Sequence, residues 1–266
     1  MLSKGVIMEI RDSSKILIID DINNNKDIYL PSNREYIRKK TSIINDKAYY
    51  LKQDDSFHMI NELIGTYLSM LLDLYAVSNK LGLYGDTLWV ISELFYKENF
   101  EYYYPFESSL NVAHQELRVK RRELLENSDD SLSIFDNNML VKILKLISID
   151  LKMGQTDRSG TNITLEYCGL KLDFAPFYDY GSSYKFSEFY TQYKNSFIVL
   201  KKDRNSLKEF IKKYPIFMEY LSAIRNIKMS DIIENIEDIN GIKLSDEEIS
   251  YYKEKDKIYS KTFINL

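Results

Sequence analysis

Apolar residues recur at two different periods along the chain, and the change of period divides it into a strand-rich beginning and a helix-rich remainder. Residues 6–51 contain three short apolar runs, VIMEI, KILII and TSIINDKAYYL, separated by turns that contain Asn and Asp. Runs of this kind are typical of β-strands between turns. We therefore expect a sheet at the N-terminal end.

Residues 57–81 carry apolar side chains at intervals of three and four, which predicts one long helix. Glu62 lies off the apolar face, on a stripe shared with Gly65, Ser69 and Asp73, so its carboxylate can point into a cleft. The run LWVISELF (88–95) then predicts a buried strand that leaves the sheet.

A second apolar helix is predicted between an N-cap at Asp136 and a C-terminal glycine, Gly154. The polar stretch GQTDRSGTN follows, and residues 162–174 predict two strands that turn at Cys168 and Gly169. Beyond about residue 185 the pattern is helical, with a capping box in SDEEISYYKEK at 245–255. A sheet followed by helices predicts an α+β fold with two lobes, a β-rich one over residues 1–95 and a mainly helical one over 96–266.

Charge and cysteine content narrow the classes of function. The net charge of −4 gives no general attraction to nucleic acid or to an anionic membrane, so we expect neither as a direct partner. Cys168 is the one cysteine, which excludes an intrachain disulfide and a thiolate metal cluster. Together with the lack of an export signal or a long apolar run, this favours a cytoplasmic protein.

Several polar residues have the chemistry that phosphoryl transfer requires. The reaction needs a carboxylate, oxygen ligands for Mg²⁺ and a cation on the nucleotide phosphates. Asp157 and Asn162 have the spacing of a D-x-x-x-x-N catalytic loop, and Asp179 offers a hard anionic oxygen. Lys52 ends a predicted strand and Glu62 lies on the following helix. Each feature alone is more often a polar turn or a solvated ion pair, and their order along the chain is what favours a site.

TDRSGTN (156–162), followed by FAPFYDYGSS (174–183), resembles the HipA-like serine/threonine kinases, whose catalytic region typically reads close to TDRHxxN and then L-x-P-x-Y-D-x-x-S. The resemblance covers roughly residues 45–185. It implies a two-lobed protein kinase-like fold, with residues 1–95 as the nucleotide-binding lobe and 96–266 as the catalytic lobe. It also implies ATP and Mg²⁺ as cofactors.

Carried over residue by residue, the resemblance implies Asp157 as the catalytic base and Asn162 and Asp179 as catalytic Mg²⁺ ligands. Lys52 is then expected on the nucleotide phosphates, with Glu62 orienting it.

The resemblance further implies that the adenine lies against the strand joining the lobes, VISELF (90–95), with the backbone near Glu93 and Phe95 as the expected hinge. Two residues depart from the family pattern: Ser159 replaces the usual His, and Gln155 replaces a frequent Asn. The chain also has no G-x-Q-x-K motif, so KKTS (39–42) is the candidate phosphate lid.

The triplet Asp173-Phe174-Ala175 imitates the D-F-G metal motif, but Asp179 is favoured because it follows Pro176 in a segment that can turn towards a cleft.

The function these residues favour is an ATP-dependent kinase that transfers the γ-phosphate to a Ser or Thr hydroxyl of a protein, with itself as a further acceptor. The resemblance also implies a toxin restrained by a small DNA-binding antitoxin. Two alternatives stay open: a pseudokinase or other nucleotide-binding interaction module without turnover, and a small-molecule or lipid phosphotransferase on the same fold.

Overall fold

The structure of the protein is a computed structural model, which describes residues 8–20, 22, 39–45, 47–93, 101–103, 135–155, 158, 162–168, 171–184 and 204–263. The strands are β1 (Glu9–Ile10), β2 (Leu17–Ile18), β3 (Lys39–Ile44), β4 (Lys47–Lys52), β5 (Asn79–Tyr84), β6 (Thr87–Glu93), β7 (Glu101–Tyr103), β8 (Leu165–Cys168), β9 (Lys171–Phe174) and β10 (Ile242–Lys243). The α-helices are α1 (Ser56–Leu71), α2 (Asn137–Met153), α3 (Arg204–Lys213), α4 (Phe217–Arg225), α5 (Met229–Asn240) and α6 (Asp246–Phe263).

A five-stranded sheet forms the N-terminal lobe, with the strand order β2-β5-β6-β4-β3. β2 is parallel to β5, and the other neighbours are antiparallel. Both faces of the central strand β6 are covered, since Val90 belongs to the main core while Trp89 and Ile91 pack in a second cluster on the opposite face. This explains why the sequence of β6 is continuously apolar instead of alternating.

Helix α1 is shorter than the predicted helix over residues 57–81, which is a correction. It ends at Leu71 in a Schellman motif, in which Leu74 N donates to Ser69 O and Asp73 N donates to Met70 O. Asp73 takes the left-handed position (φ 48°) that glycine usually occupies. Residues 79–81 of the predicted helix belong instead to strand β5, which pairs with β6 around a turn at Gly85.

Helix α2 follows the prediction at both ends. The Asp136 side chain accepts a hydrogen bond from Met139 N, and Gly154 ends the helix in the left-handed conformation (φ 61°). The two strands predicted after it are β8 and β9, which pair antiparallel, and β7 completes a three-stranded sheet. The polar loop therefore connects the end of α2 to this small sheet.

The predicted helical C-terminal region contains α3 to α6, and the capping box forms as expected, with Ser245 and Glu248 bonded to each other's backbone N–H groups. The run VIMEI does not join the N-terminal sheet, because its described strand β1 pairs with β10, more than two hundred residues away. Among the described residues, no helix is both long enough and apolar enough to cross a membrane. The sheet lobe and the helical part together give the α+β fold that the sequence predicts.

Candidate active site

Three of the predicted site residues meet between the sheet and the helices. Lys52 is the last residue of β4, and Glu62 lies two turns into α1. Lys52 Nζ lies 3.0 Å from Glu62 Oε1 and 3.4 Å from Asp179 Oδ1. The Glu62 side chain is only 5% exposed, whereas the side chains of Lys52 and Asp179 are 25% and 33% exposed. The cluster therefore has a buried end at Glu62 and an accessible end at Asp179.

Glu62 also binds the backbone of residues 178–183, the Asp179 segment. Its carboxylate accepts hydrogen bonds from Tyr180 N (3.0 Å) and Gly181 N (3.2 Å), and from the Asn79 side chain at 3.4 Å. A single buried carboxylate thus holds Lys52 and the Asp179 segment at once. Hydrogen bonds to a charged acceptor of this kind are among the stronger ones in proteins.

Burial alone lowers the pKa of the Lys52 ammonium, but the charges of Glu62, Asp179 and Asp54 outweigh it and raise the pKa above the ordinary value. Lys52 is therefore a permanent cation at neutral pH. A fixed positive charge in a partly dry site is suited to bind phosphate oxygens.

The Asp179 segment is fixed by side chains from several elements. Asp179 has a left-handed backbone (φ 65°), which a non-glycine residue keeps only where the surroundings impose it. Its carbonyl oxygen accepts from Gln155 Nε2 at 2.9 Å. The Asn61 amide donates to the carbonyl oxygens of Gly181 and Ser183, both at 2.9 Å. Gln155, which departs from the family pattern, thus supports the position of the segment directly.

Tyr180 is fully buried against α1. A Cβ atom at Gly65 would lie 2.1 Å from the Tyr180 ring, so glycine is needed for this contact. The Tyr180 hydroxyl lies 3.0 Å from Ser69 Oγ, and Arg158 lies over the ring at 5.0 Å from its centroid. Burial raises the pKa of Tyr180 to about 12, so the hydroxyl remains neutral.

Asp173, the alternative metal ligand, is bound elsewhere. Lys142 Nζ lies 2.7 Å from its carboxylate, and Asn138 donates to the same oxygen at 3.3 Å. The structure thus places Asp179 beside Lys52 and places Asp173 beside side chains of α2. That Asp179 binds the metal stays a prediction.

Of the other predicted site residues, the structure describes Asn162 and Glu93. Asn162 is half-buried, three residues before the first residue of β8. Glu93 ends β6, where its exposed carboxylate is paired with Lys47 at 3.0 Å. Asp157, Phe95 and Ser159 lie outside the described residues, and the roles predicted for them stay predictions.

The sequence reasoning missed the two residues after Asp179. Asp179-Tyr180-Gly181 is an Asp–aromatic–Gly triplet, which could have been found by accepting Tyr for Phe in the D-F-G motif. Gly181 is closely packed, because a Cβ there would lie 3.0 Å from Lys52 Nζ and 3.2 Å from Glu62 Oε1, so both side chains would have to shift by a few tenths of an ångström. Asp150 and Arg158 were missed as well, because their pairing depends on the fold.

These residues fit a nucleotide with its magnesium ion. Asp179 supplies the hard carboxylate oxygen that Mg²⁺ prefers, and its partial exposure lets a ligand reach it. Lys52 supplies a fixed cation, and its side chain is 25% exposed, so a phosphate oxygen can approach it.

Comparison with solved structures identifies the fold. A Helicobacter pylori proinflammatory kinase, CtkA, aligns over 84% of this chain and 90% of its own, with 16% sequence identity and a TM-score of 0.55. HipA of Shewanella oneidensis MR-1, solved in complex with HipB and its operator DNA, aligns over 98% of this chain and 72% of its own, with 11% identity and a TM-score of 0.57.

No protein-family model matches the chain, and no curated protein sequence matches it. The similarity to these proteins is therefore one of fold, without close sequence identity. The chain has the fold of the HipA-like kinases.

Proposed function

We propose that the protein is an ATP- and Mg²⁺-dependent phosphotransferase that phosphorylates a Ser or Thr hydroxyl of a protein. The observation that carries this proposal is the cluster in which the Lys52 ammonium lies between the carboxylates of Glu62 and Asp179. A strand Lys paired with a helix Glu, next to an Asp–aromatic–Gly triplet, is the arrangement that holds nucleotide phosphates and metal in protein kinases.

Each residue of the site has a proposed task. Lys52 binds the phosphates, and Glu62 orients Lys52 and holds the Asp179 segment beside it. Asp179 and Asn162 hold Mg²⁺, which when bound neutralises negative charge on the transferring phosphoryl group. Asp157 accepts the proton of the attacking hydroxyl.

The adenine is proposed to lie against the end of β6, where backbone groups near Glu93 and Phe95 can bond its edge. A protein acceptor and an antitoxin partner are further parts of the proposal. They are supported by the fold shared with a proinflammatory kinase and with a HipA that was solved with HipB and DNA. The protein is proposed to act in the cytoplasm.

The test is incubation of the purified protein and a cell extract with labelled ATP and Mg²⁺. Wild type is compared with Asp157→Ala, Asp179→Ala and the control Asp173→Ala. We expect labelled protein with wild type and the control, and none with the other two variants. Nucleotide binding without transfer to any acceptor would indicate a pseudokinase. Label found only on a small molecule or lipid would indicate a small-molecule or lipid phosphotransferase.

A further inference from the structure

Arg158 and Asp150 form an ion pair that is almost completely withdrawn from solvent. Their side chains are 1% and 0% exposed, and the Arg158 Nε and Nη2 atoms both lie 3.0 Å from the Asp150 carboxylate. A buried pair gains little stability over apolar residues of the same size, so stability alone does not account for it. The contacts that Arg158 makes with the Asp179 segment indicate a further role for the pair.

The guanidinium touches the residues on both sides of Asp179. Arg158 Nη1 donates to the carbonyl oxygen of Tyr178, and the guanidinium carbon lies 5.0 Å from the centroid of the Tyr180 ring. Asp150, its ion-pair partner, lies on the last turn of α2. Arg158 therefore links the end of α2 to residues 178 and 180.

We propose that Arg158 is a positioning residue whose guanidinium fixes the Asp179 carboxylate for binding of the divalent cation. Arg158 acts through Asp179, and the part of the inference that concerns cation binding rests on the proposed function. The left-handed backbone of Asp179 requires such external support. Only a planar fork can bind Asp150 and Tyr178 O together while stacking on Tyr180, so lysine cannot replace it.

The experiment compares wild type with Arg158→Lys, which keeps the charge beside Asp150 but loses the fork. The matched control is Asp256→Asn, which removes the charge from another ion pair of α2, between the buried Lys152 and the partly exposed Asp256 at 2.6 Å, without changing residues 178–181. The first readout is hydrogen exchange of the Tyr180 and Gly181 amides in the absence of metal and nucleotide. The second is Mn²⁺ binding, followed by electron paramagnetic resonance in the presence of a non-hydrolysable ATP analogue.

We expect Arg158→Lys to lower the protection of both amides about tenfold or more and to weaken Mn²⁺ binding by about 10- to 100-fold, the usual effect of losing support for a metal ligand. Asp256→Asn should change neither readout. Wild-type behaviour of Arg158→Lys, or an equal loss in the control, would overturn the inference.

Two further results separate this inference from the proposed function. If wild type binds no Mn²⁺ with the nucleotide analogue but Arg158→Lys still loses amide protection, the positioning role holds and the proposed function fails. If Arg158→Lys does not fold, Asp150→Asn keeps the size of the side chain that aligns the guanidinium but removes its charge. It should lower protection of the same two amides, and unchanged protection in this variant would overturn the inference.

Discussion

The packing of Tyr180 on α1 can be tested with a single methyl group, by the substitution Gly65→Ala. The new Cβ would lie 2.1 Å, 2.4 Å and 2.6 Å from three carbon atoms of Tyr180. Carbon atoms in contact are normally about 3.5–4.0 Å apart, so the ring must move by roughly 1.5 Å. Because Tyr180 N is bonded to Glu62, this movement also disturbs the segment that carries Asp179.

The expected effect is the difference of two terms. Overpacking of a buried contact costs about 1–3 kcal/mol. Alanine in place of glycine within a helix stabilises by about 0.5–1 kcal/mol. We therefore expect the free energy of unfolding to fall by about 0–2.5 kcal/mol, with a central value of about 1 kcal/mol.

The assay is urea denaturation of wild type and variant, with the double variant Gly65→Ala/Tyr180→Leu as the control. Leucine leaves room for the methyl group, so Gly65→Ala should cost much less in the Tyr180→Leu background than in wild type. A Gly65→Ala variant that is more stable than wild type would refute the packing described for Tyr180.

Three further substitutions test neighbouring features. Glu62→Gln removes the charge that holds Lys52 and two backbone N–H groups, so the free energy of unfolding measured in urea should fall by about 2 kcal/mol. An unchanged denaturation midpoint would contradict the hydrogen bonds described for Glu62. Tyr180→Phe removes the contact with the Ser69 hydroxyl and should cost about 1 kcal/mol by the same measurement. A cost above about 3 kcal/mol, the upper bound for one unsatisfied buried group, would contradict it. Gly154→Ala places a Cβ 2.6 Å from the Tyr259 ring, and it does so at a residue with left-handed backbone, so calorimetry should show a melting temperature lowered by several degrees. An unchanged melting temperature would argue against the C-cap that Gly154 forms for α2.

What the sequence predicted depended on local signals. Helix α2 has an Asp N-cap and a C-terminal glycine, and both act within one turn of the helix, so both ends were predicted. The end of α1 was missed because Asp73 replaces the glycine of its Schellman motif. The pairing of β1 with β10 could not be predicted, since no local pattern specifies a partner more than two hundred residues away.

The candidate site shows the same division. The order of Lys52, Glu62 and Asp179 along the chain indicated a kinase-like cluster, and the structure brings these three side chains together. The Asp–aromatic–Gly triplet was present in the sequence but was obscured by the more literal Asp173-Phe174-Ala175. The Arg158–Asp150 pair required the fold, because neither its burial nor its contact with Tyr178 follows from spacing.

The central claim is that Lys52 and Asp179 together hold a nucleotide with its metal. The most direct measurement is calorimetric titration of ATP into the protein with and without Mg²⁺, using Lys52→Met and the control Lys142→Met, which removes the partner of Asp173 instead. We predict Mg²⁺-dependent ATP binding by wild type and by Lys142→Met, and its loss in Lys52→Met. Equal binding by wild type and Lys52→Met, or no ATP binding by wild type, would contradict the account.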